Sequence, residues 1–249
     1  MNSIAPVGRR PLDHIDTWIF DLDNTLYPAS CRLFDQVDTL IARFIVDLLG
    51  VDEAEAHRIQ KRYFLEHGTT LSGLMADHSV DPHRYLDYVH RLDLTPVPPS
   101  PALAAALDRL PGRKLIHTNG SVGHAERVTD RLGVRRHFEG IFDIVASDFV
   151  PKPLEPGYRQ LIERHSVNPA RAAMIEDLPR NLAPAARLGM TTVLVKTDSS
   201  WAQEGADADH VHHVTDDLVA WLESVVPQPT PTQPETPSSE ALSRRERGS

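Results

Sequence analysis

The sequence predicts an α/β protein built on a parallel β-sheet, with a second domain made only of helices inserted into it. Short apolar runs alternate with segments of helical periodicity along most of the chain, which is typical of a parallel sheet covered by helices on both faces. The stretch of about 70 residues between Tyr27 and Pro98 breaks this alternation, because it contains no clear strand. Together these observations predict a Rossmann-like core with an inserted all-helical cap domain.

The same patterns divide the chain into segments. The core is predicted over 16–27 and 99–222, and the cap over 28–98. Residues 1–15 are predicted as a flexible lead to the first strand. Residues 227–249 are predicted as a disordered tail, because prolines alternate there with Thr, Gln and Ser and no apolar periodicity follows.

The strands of the core are predicted from short apolar runs. In chain order these are Thr17–Phe20, Lys114–His117, Ile141–Ala146, Ala172–Ile175 and Thr192–Lys196. The helical patterns between them lie at about 101–110, 122–132, 157–165 and 180–188. Pro156 stands where a helix can begin, and Gly133 and Gly189 stand where helices can end. The pair His212-His213 is interpreted as a strand or a surface pair.

The cap is predicted from a different periodicity. Apolar residues recur at helical spacing from Leu33 to Leu48, which predicts one long helix. Asp52 can cap a second helix that Gly68 ends, and the pair Asp81-Pro82 can start a third. The segment at 67–73, between the second and third of these helices, is predicted as a loop.

Composition limits the classes of function. The formal net charge of −9 argues against a nucleic-acid binder, which usually presents a basic face. The single cysteine, Cys31, excludes a disulfide framework within the chain and fits a reducing cytoplasm. No apolar run reaches the roughly 18 residues that a membrane-spanning helix needs. We therefore expect a cytoplasmic monomer or homodimer that binds neither nucleic acid nor a membrane.

Polar side chains follow four of the five predicted strands, at or soon after the point where each strand ends. The carboxyl ends of parallel strands meet at one edge of a sheet, where α/β proteins bind ligands. Carboxylate oxygens at that edge suit Mg²⁺, and a hydroxyl followed by a helix start suits a phosphate. In chain order the candidate residues are Asp21 and Asp23, then Thr118 and Asn119, then Lys152, and finally Glu176 and Asp177.

Taken singly, each of these residues also has an ordinary structural interpretation. The segment Asp21–Asn24 can be a turn or a helix cap, and Asn24 and Thr25 can serve that turn rather than the chemistry. Ser121 can simply cap the next helix. Lys152 can be a solvated surface charge, although the prolines on both sides of it favour a fixed position. The pair Glu176-Asp177 can cap the helix that follows.

The order of these residues resembles the motifs of the haloacid dehalogenase-like superfamily. The resemblance covers roughly residues 16–222 and rests on Asp21-Leu22-Asp23-Asn24-Thr25, Thr118, Lys152 and Glu176-Asp177. It implies that Asp21 is a nucleophile that forms an aspartyl phosphate, and that Asp23 is the general acid and then the general base.

The resemblance also implies a set of ligands. Thr118, Asn119 and Lys152 would bind phosphate oxygens, and Lys152 would also offset the charge of Asp21. The implied ligands of Mg²⁺ are a carboxylate oxygen of Asp21, the backbone carbonyl of Asp23, the carboxylate of Asp177 and, more loosely or through water, Glu176. Because superfamily members that displace halide lack the second aspartate, Asp23 favours a phosphatase over a dehalogenase.

The substrate is predicted from the cap, where the sequence resembles the pyrimidine 5′-nucleotidases. The likeness rests on Leu26-Tyr27-Pro28 and on Glu66–Leu74, although His67 stands where that branch usually has tyrosine and Glu176 where aspartate is frequent. By this resemblance His67, Thr69 and Thr70 would contact a pyrimidine nucleoside 5′-monophosphate. Alternatively, the turn at 67–73 only shapes the cap.

Other interpretations of the function remain open. Phosphoglycolate, a sugar phosphate or pyridoxal phosphate are alternative substrates for a small-metabolite phosphatase. A phosphomutase or a non-catalytic regulator that binds a ligand is a further alternative.

Overall fold

The computed structural model of the protein describes residues 12–197 and 204–226, and within them it contains one six-stranded parallel sheet. The strands are β1 (Thr17–Phe20), β2 (Arg113–His117), β3 (Gly140–Phe142), β4 (Ala172–Glu176), β5 (Thr191–Val195) and β6 (His213–Thr215). Their order across the sheet is β3-β2-β1-β4-β5-β6, and every neighbouring pair is parallel. The predicted α/β class with a parallel sheet is confirmed.

The helices fall into two groups along the chain. Four lie within 28–98, after β1: α1 (Leu33–Leu49), α2 (Glu53–His67), α3 (Thr70–His78) and α4 (Pro82–Val89). Five belong to the core: α5 (Pro101–Arg109), α6 (Val122–Leu132), α7 (Glu155–Arg164), α8 (Pro179–Arg187) and α9 (Leu218–Val225). The helices predicted in both regions are present, and α3 and α9 are additional.

The core helices cover the sheet on both faces. Trp18 and Phe20 of β1 pack in one apolar cluster with α5, α6 and α9, whereas Ile19 packs in another with α7 and α8. Successive side chains of a strand point to opposite faces, so these two clusters lie on opposite sides of the sheet. The arrangement leaves the strand ends as the part of the sheet that can carry a site.

The third predicted strand is wrong at its end, since β3 stops at Phe142 instead of continuing to Ala146. The carboxylate of Asp143 accepts hydrogen bonds from the backbone N–H of Ala146 at 2.8 Å and of Val122 at 2.8 Å. These bonds turn the chain away from the sheet. At the other edge, β6 contains His213, so the strand interpretation of that histidine is confirmed.

The helices α1–α4, which lie in the predicted cap range of 28–98, share an apolar cluster of their own. Part of the core enters this cluster: Ile144 is buried in it, and Val145 and Phe149 pack against it. We call residues 143–149 the docking loop. It joins the four cap helices to the sheet.

Two predicted boundaries need correction. The loop predicted at 67–73 ends earlier, because the hydroxyl of Thr69 accepts a hydrogen bond from the N–H of Ser72 at 3.1 Å and so caps α3. The predicted lead at 1–15 is wrong at its end, since the apolar side chain of Ile15 is buried in the core. Residues 1–11 and the predicted tail at 227–249 lie outside the described residues. None of the helices in the described ranges has the length and apolar character needed to cross a membrane.

Candidate active site

The candidate site lies at the carboxyl ends of β1, β2 and β4. Asp21 follows β1 directly, and its N–H donates to the carbonyl of Ile175 at 2.9 Å, which continues the strand ladder by one residue. Thr118 follows β2 in the same way, with its N–H on the carbonyl of Phe142 at 3.1 Å. These backbone bonds fix where both side chains leave the sheet.

Lys152 connects the first acidic residue to the acidic pair. Its ammonium Nζ donates to Oδ1 of Asp21 at 2.6 Å, to Oε1 of Glu176 at 2.9 Å and to the carbonyl of His117 at 2.9 Å. Only 2% of the Lys152 side chain is exposed. Burial alone would lower the pKa of Lys152, but the charges of Asp21 and Glu176 outweigh it and raise that pKa, so the lysine stays charged. The interpretation of Lys152 as a solvated surface charge is wrong.

Asn119 holds the backbone at Lys152 in place. Its side-chain Oδ1 accepts from the N–H of Lys152 at 2.8 Å, and its Nδ2 donates to the carbonyl of Lys152 at 3.2 Å. Its amide is therefore used to position the lysine, and phosphate binding by Asn119 stays a prediction. Phosphate contact from this residue would have to come from its backbone.

Glu176 is also occupied by hydrogen bonds within the protein. Its Oε1 accepts from Asn181 Nδ2 at 2.5 Å as well as from Lys152, and its Oε2 accepts from the N–H of Leu178 at 2.8 Å. These donors hold Glu176 against the lysine. Their presence agrees with the resemblance, which implies that Glu176 binds Mg²⁺ only loosely or through water. The alternative that this residue only caps α8 accounts for the bond to Leu178 and not for the other two.

Three carboxylates nevertheless form one buried cluster in the described residues. Asp21, Glu176 and Asp177 each offer an oxygen, and these oxygens lie within 4.8 Å of one another. Burial, together with Glu176 and Asp23, raises the pKa of Asp21 to about 7 despite Lys152. Burial and then the charges of Glu176 and Asp21 raise the pKa of Asp177 well above its usual value. A divalent cation would supply the missing positive charge, and an all-oxygen donor set of this kind suits Mg²⁺.

The hydroxyl of Thr25 donates to Oδ2 of Asp21 at 2.9 Å, so both oxygens of that carboxylate have a hydrogen-bond donor. The interpretation of Thr25 as serving only the turn is therefore wrong. Asn24 does serve the turn, because it adopts a left-handed backbone conformation with φ 59°.

Asp23 points to a different set of partners. Its Oδ1 accepts from the hydroxyl of Tyr27 at 2.7 Å and pairs with Nε2 of His124 at 2.8 Å. Burial raises the pKa of Asp23, but the His124 charge and the bonds from His124 and Tyr27 outweigh it and lower the pKa to about 2. Asp23 therefore lies beside the acidic cluster as a separately held carboxylate.

The cap reaches the site through the turn before α3. A Cβ placed on Gly68 would lie 3.5 Å from Pro151 and 3.8 Å from the carbonyl of Lys152, so this turn contacts the segment that carries the lysine. A second contact joins α2 to α8, where the guanidinium of Arg180 lies 4.1 Å from the ring centre of Phe64. The cap therefore lies over the edge of the sheet that holds the acidic cluster.

The three predicted substrate contacts in the cap have partners within it. The hydroxyl of Thr70 donates to the carbonyl of Gln60 at 3.3 Å, and Thr70 is buried, so its side chain faces the cap interior. The prediction that Thr70 contacts substrate needs this correction. The hydroxyl of Thr69 caps α3, and the His67 ring packs edge-on against Tyr63 at 5.6 Å between centroids.

Sequence reasoning missed His124, and it named Thr25 and Tyr27 only as parts of motifs, without a contact in the site. Thr25 and Tyr27 lie within six residues of Asp21, so their spacing carries a signal. His124 lies 101 residues from Asp23 in sequence, and no local pattern points to their contact.

These features define the class of protein: an α/β protein with a parallel sheet, a separate group of four helices and a cluster of carboxylates at the strand ends. The family model described as haloacid dehalogenase-like hydrolase matches residues 15–189. The chain belongs to that family.

One curated relative is "Phosphate metabolism protein 8" of Saccharomyces cerevisiae, which is 28% identical over 196 residues. The match covers 71% of this chain and 60% of the relative, so the chain spans less than two thirds of the length of that protein.

Solved structures show the same fold at low sequence identity. A haloacid dehalogenase-like family hydrolase from Streptococcus pneumoniae is 17% identical, with a TM-score of 0.56 and coverage of 85% of this chain and 98% of that one. A 2-haloacid dehalogenase from Pseudomonas syringae is 19% identical, with a TM-score of 0.51 and coverage of 85% and 97%.

Proposed function

We propose that the protein is a magnesium-dependent phosphatase that hydrolyses a small phosphate monoester through an aspartyl-phosphate intermediate. The observation that carries this proposal is the carboxylate of Asp23, which stands two residues from Asp21 and is held outside the acidic cluster by Tyr27 and His124. A phosphate ester needs such a group, because its leaving alkoxide must be protonated, whereas a departing halide does not. The name of the yeast relative also refers to phosphate metabolism.

In the first step, Asp21 attacks phosphorus and the bond from phosphorus to the ester oxygen breaks. The leaving oxygen takes a proton from Asp23. In the second step, Asp23 takes a proton from water as that water attacks the aspartyl phosphate, and the bond from phosphorus to Asp21 breaks to release inorganic phosphate. Without substrate, Asp23 is ionised, but an arriving phosphate anion raises its pKa, so the proton of the first step enters with the substrate.

The remaining residues position and neutralise the phosphoryl group. Lys152 and Thr118 would hold its oxygens, and Lys152 also opposes the rise in the pKa of Asp21 and places that carboxylate through the contact at 2.6 Å. Mg²⁺, held by Asp21, Asp177 and the backbone carbonyl of Asp23, would neutralise negative charge on the phosphoryl oxygens. Glu176 would act mainly by holding Lys152, since three donors already occupy its carboxylate.

Within this class we propose a pyrimidine nucleoside 5′-monophosphate as substrate. Support comes from the sequence of Glu66–Leu74, which resembles the pyrimidine 5′-nucleotidases, and from the turn at Gly68, which lies against the Lys152 segment. His67 and Thr69, on either side of Gly68, are the cap residues through which the nucleoside would be recognised.

The test is a panel of phosphate monoesters with Mg²⁺: UMP and CMP against AMP, GMP, phosphoglycolate, a hexose phosphate and pyridoxal phosphate, with a 2-haloacid as a further substrate. We expect turnover of the phosphate esters, a preference for UMP and CMP, and no halide release. The variant Asp21→Asn should fold and lose turnover. Equal rates on purine and pyrimidine nucleotides would overturn the substrate, and halide release without phosphatase activity would overturn the proposed reaction.

A further inference from the structure

We propose that His124 is a positioning residue that fixes one oxygen of Asp23 and so commits the other oxygen to proton transfer. This inference rests on the proposed function and names a residue that the family motifs do not include.

The two oxygens of Asp23 have different surroundings. Oδ1 receives both the Tyr27 hydroxyl at 2.7 Å and Nε2 of His124 at 2.8 Å. Two donors at these distances occupy the lone pairs of one carboxylate oxygen. Proton exchange with the leaving group and with water therefore takes place at Oδ2, and the side chain keeps 18% of its surface exposed for that exchange.

The His124 ring is itself held in a single orientation. It is only 1% exposed and stacks on the ring of His90, with 4.5 Å between centroids and 6° between planes. Nδ1 of His90 pairs with the hydroxyl of Ser121 at 2.9 Å, and that same oxygen accepts from the N–H of His124 at 3.4 Å. Ser121 and His90 thus hold the ring against Asp23.

The ring nitrogens of His124 also differ. Among the described residues, Nδ1 is buried and has no hydrogen-bond partner, whereas Nε2 faces the carboxylate of Asp23. Nε2 therefore carries a proton in the hydrogen bond to Asp23, because an imidazole protonated on Nδ1 alone would hold a buried N–H without an acceptor. His124 acts as a donor to Asp23 and does not itself exchange protons with substrate.

His90 brings the cap into this arrangement, because it is the residue that ends α4. Its backbone carbonyl accepts a hydrogen bond from Arg127 of α6, one turn beyond His124. The carboxylate of Asp23 in the core is thus held by a ring that stacks on the C-cap residue of α4. Tyr27, at the opposite junction of core and cap, supplies the second donor.

The test uses two replacements of His124. His124→Phe keeps an aromatic ring to stack on His90 and removes the donor, whereas His124→Gln keeps an N–H donor and removes the ring. The readout is kcat/KM for UMP, whose leaving alkoxide needs a proton, against p-nitrophenyl phosphate, whose stabilised phenolate does not. This ratio reports cleavage of the ester bond whichever step limits kcat.

We expect His124→Phe to lower kcat/KM for UMP roughly 10- to 100-fold, the value of one hydrogen bond to a charged group. The loss on p-nitrophenyl phosphate should be much smaller, and His124→Gln should restore part of the activity on UMP. As a control, His137→Phe replaces another buried histidine, one that pairs with Asp108 outside the site, and should leave the ratio of the two kcat/KM values unchanged.

A second measurement does not depend on turnover. Imidazole ¹⁵N spectra should show the His124 proton on Nε2, and the resonance of that proton should shift upfield when Asp23→Asn weakens the bond. Equal losses on both esters in His124→Phe, or an unprotonated Nε2, would overturn the positioning role. A wild-type protein inactive on every ester would instead overturn the proposed function, and the spectra would still decide whether the bond exists.

Discussion

Replacing Lys152 should destabilise the protein far more than replacing Lys114, the other buried lysine in the described residues. In Lys152→Met, the carboxylates of Asp21 and Glu176 lose the only cation that contacts both within the described residues. Removing one partner of a buried ion pair costs about 3–5 kcal/mol, because the charge left behind is neither solvated nor paired. The third lost bond, to the carbonyl of His117, adds to this cost.

Lys114→Met is the matched control. Lys114 is 9% exposed, and its Nζ donates to two backbone carbonyls, of Leu110 at 2.6 Å and of Gly112 at 3.1 Å. Its loss leaves no buried carboxylate without a cation, so we expect the free energy of unfolding to fall by about 1–3 kcal/mol. The difference between the two variants isolates the effect of the carboxylates.

The assay is urea unfolding followed by circular dichroism at neutral pH, with EDTA present to exclude divalent cations. The free energy of unfolding should fall at least about 2 kcal/mol further in Lys152→Met than in Lys114→Met. Equal losses would refute the reasoning, because they would mean that Asp21 and Glu176 do not depend on the lysine. Lys114→Met should in addition keep its catalytic activity, since Lys114 lies at the opposite end of β2 from the site.

Three further predictions concern pH, steric fit and metal binding. Burial and the nearby charge of His124 lower the pKa of His90 to about 3. Lowering the pH from 7 to 5 should therefore lower the free energy of unfolding by about 2 kcal/mol, because His90 takes up a proton in the unfolded chain and not in the folded one. His90→Gln should remove that part of the pH dependence measured by urea unfolding. Gly73→Ala would put a Cβ 2.3 Å from the Tyr63 ring and should lower the free energy of unfolding by about 1–3 kcal/mol, whereas Gly123→Ala has open space and should not lower it. Mg²⁺ at about 100 times its Kd should raise the free energy of unfolding by roughly 2.7 kcal/mol, and a thermal shift that persists undiminished in Asp177→Asn would contradict the assigned ligand.

The sheet was predictable because its central strands are buried on both faces and so appear as uninterrupted apolar runs. The four residues of β1 and the five of β4 are all buried. The edge strands are harder to predict. Each of β3 and β6 has only three residues, and the end of β3 depends on a side chain, Asp143, that turns the chain just past it.

The candidate site was predictable to the extent that strand ends determine it. Asp21, Lys152 and Asp177 were all identified because each follows a strand or a proline-bounded turn, and the structure brings the three together. The second set of contacts follows from tertiary packing. His124 reaches Asp23 across 101 residues, and Asn119 reaches Lys152 across 33, so no local periodicity reports either contact.

The docking loop has a consequence for how the cap can be exchanged or moved. A graft that cuts the chain only at the two cap boundaries would transfer α1–α4 without Ile144 and Phe149, which complete their apolar cluster. The transplanted cap would keep a gap, and the core left behind would expose apolar surface to water. A cap transferred with its apolar cluster complete would therefore need two separate stretches of sequence, the predicted cap at 28–98 and the docking loop at 143–149.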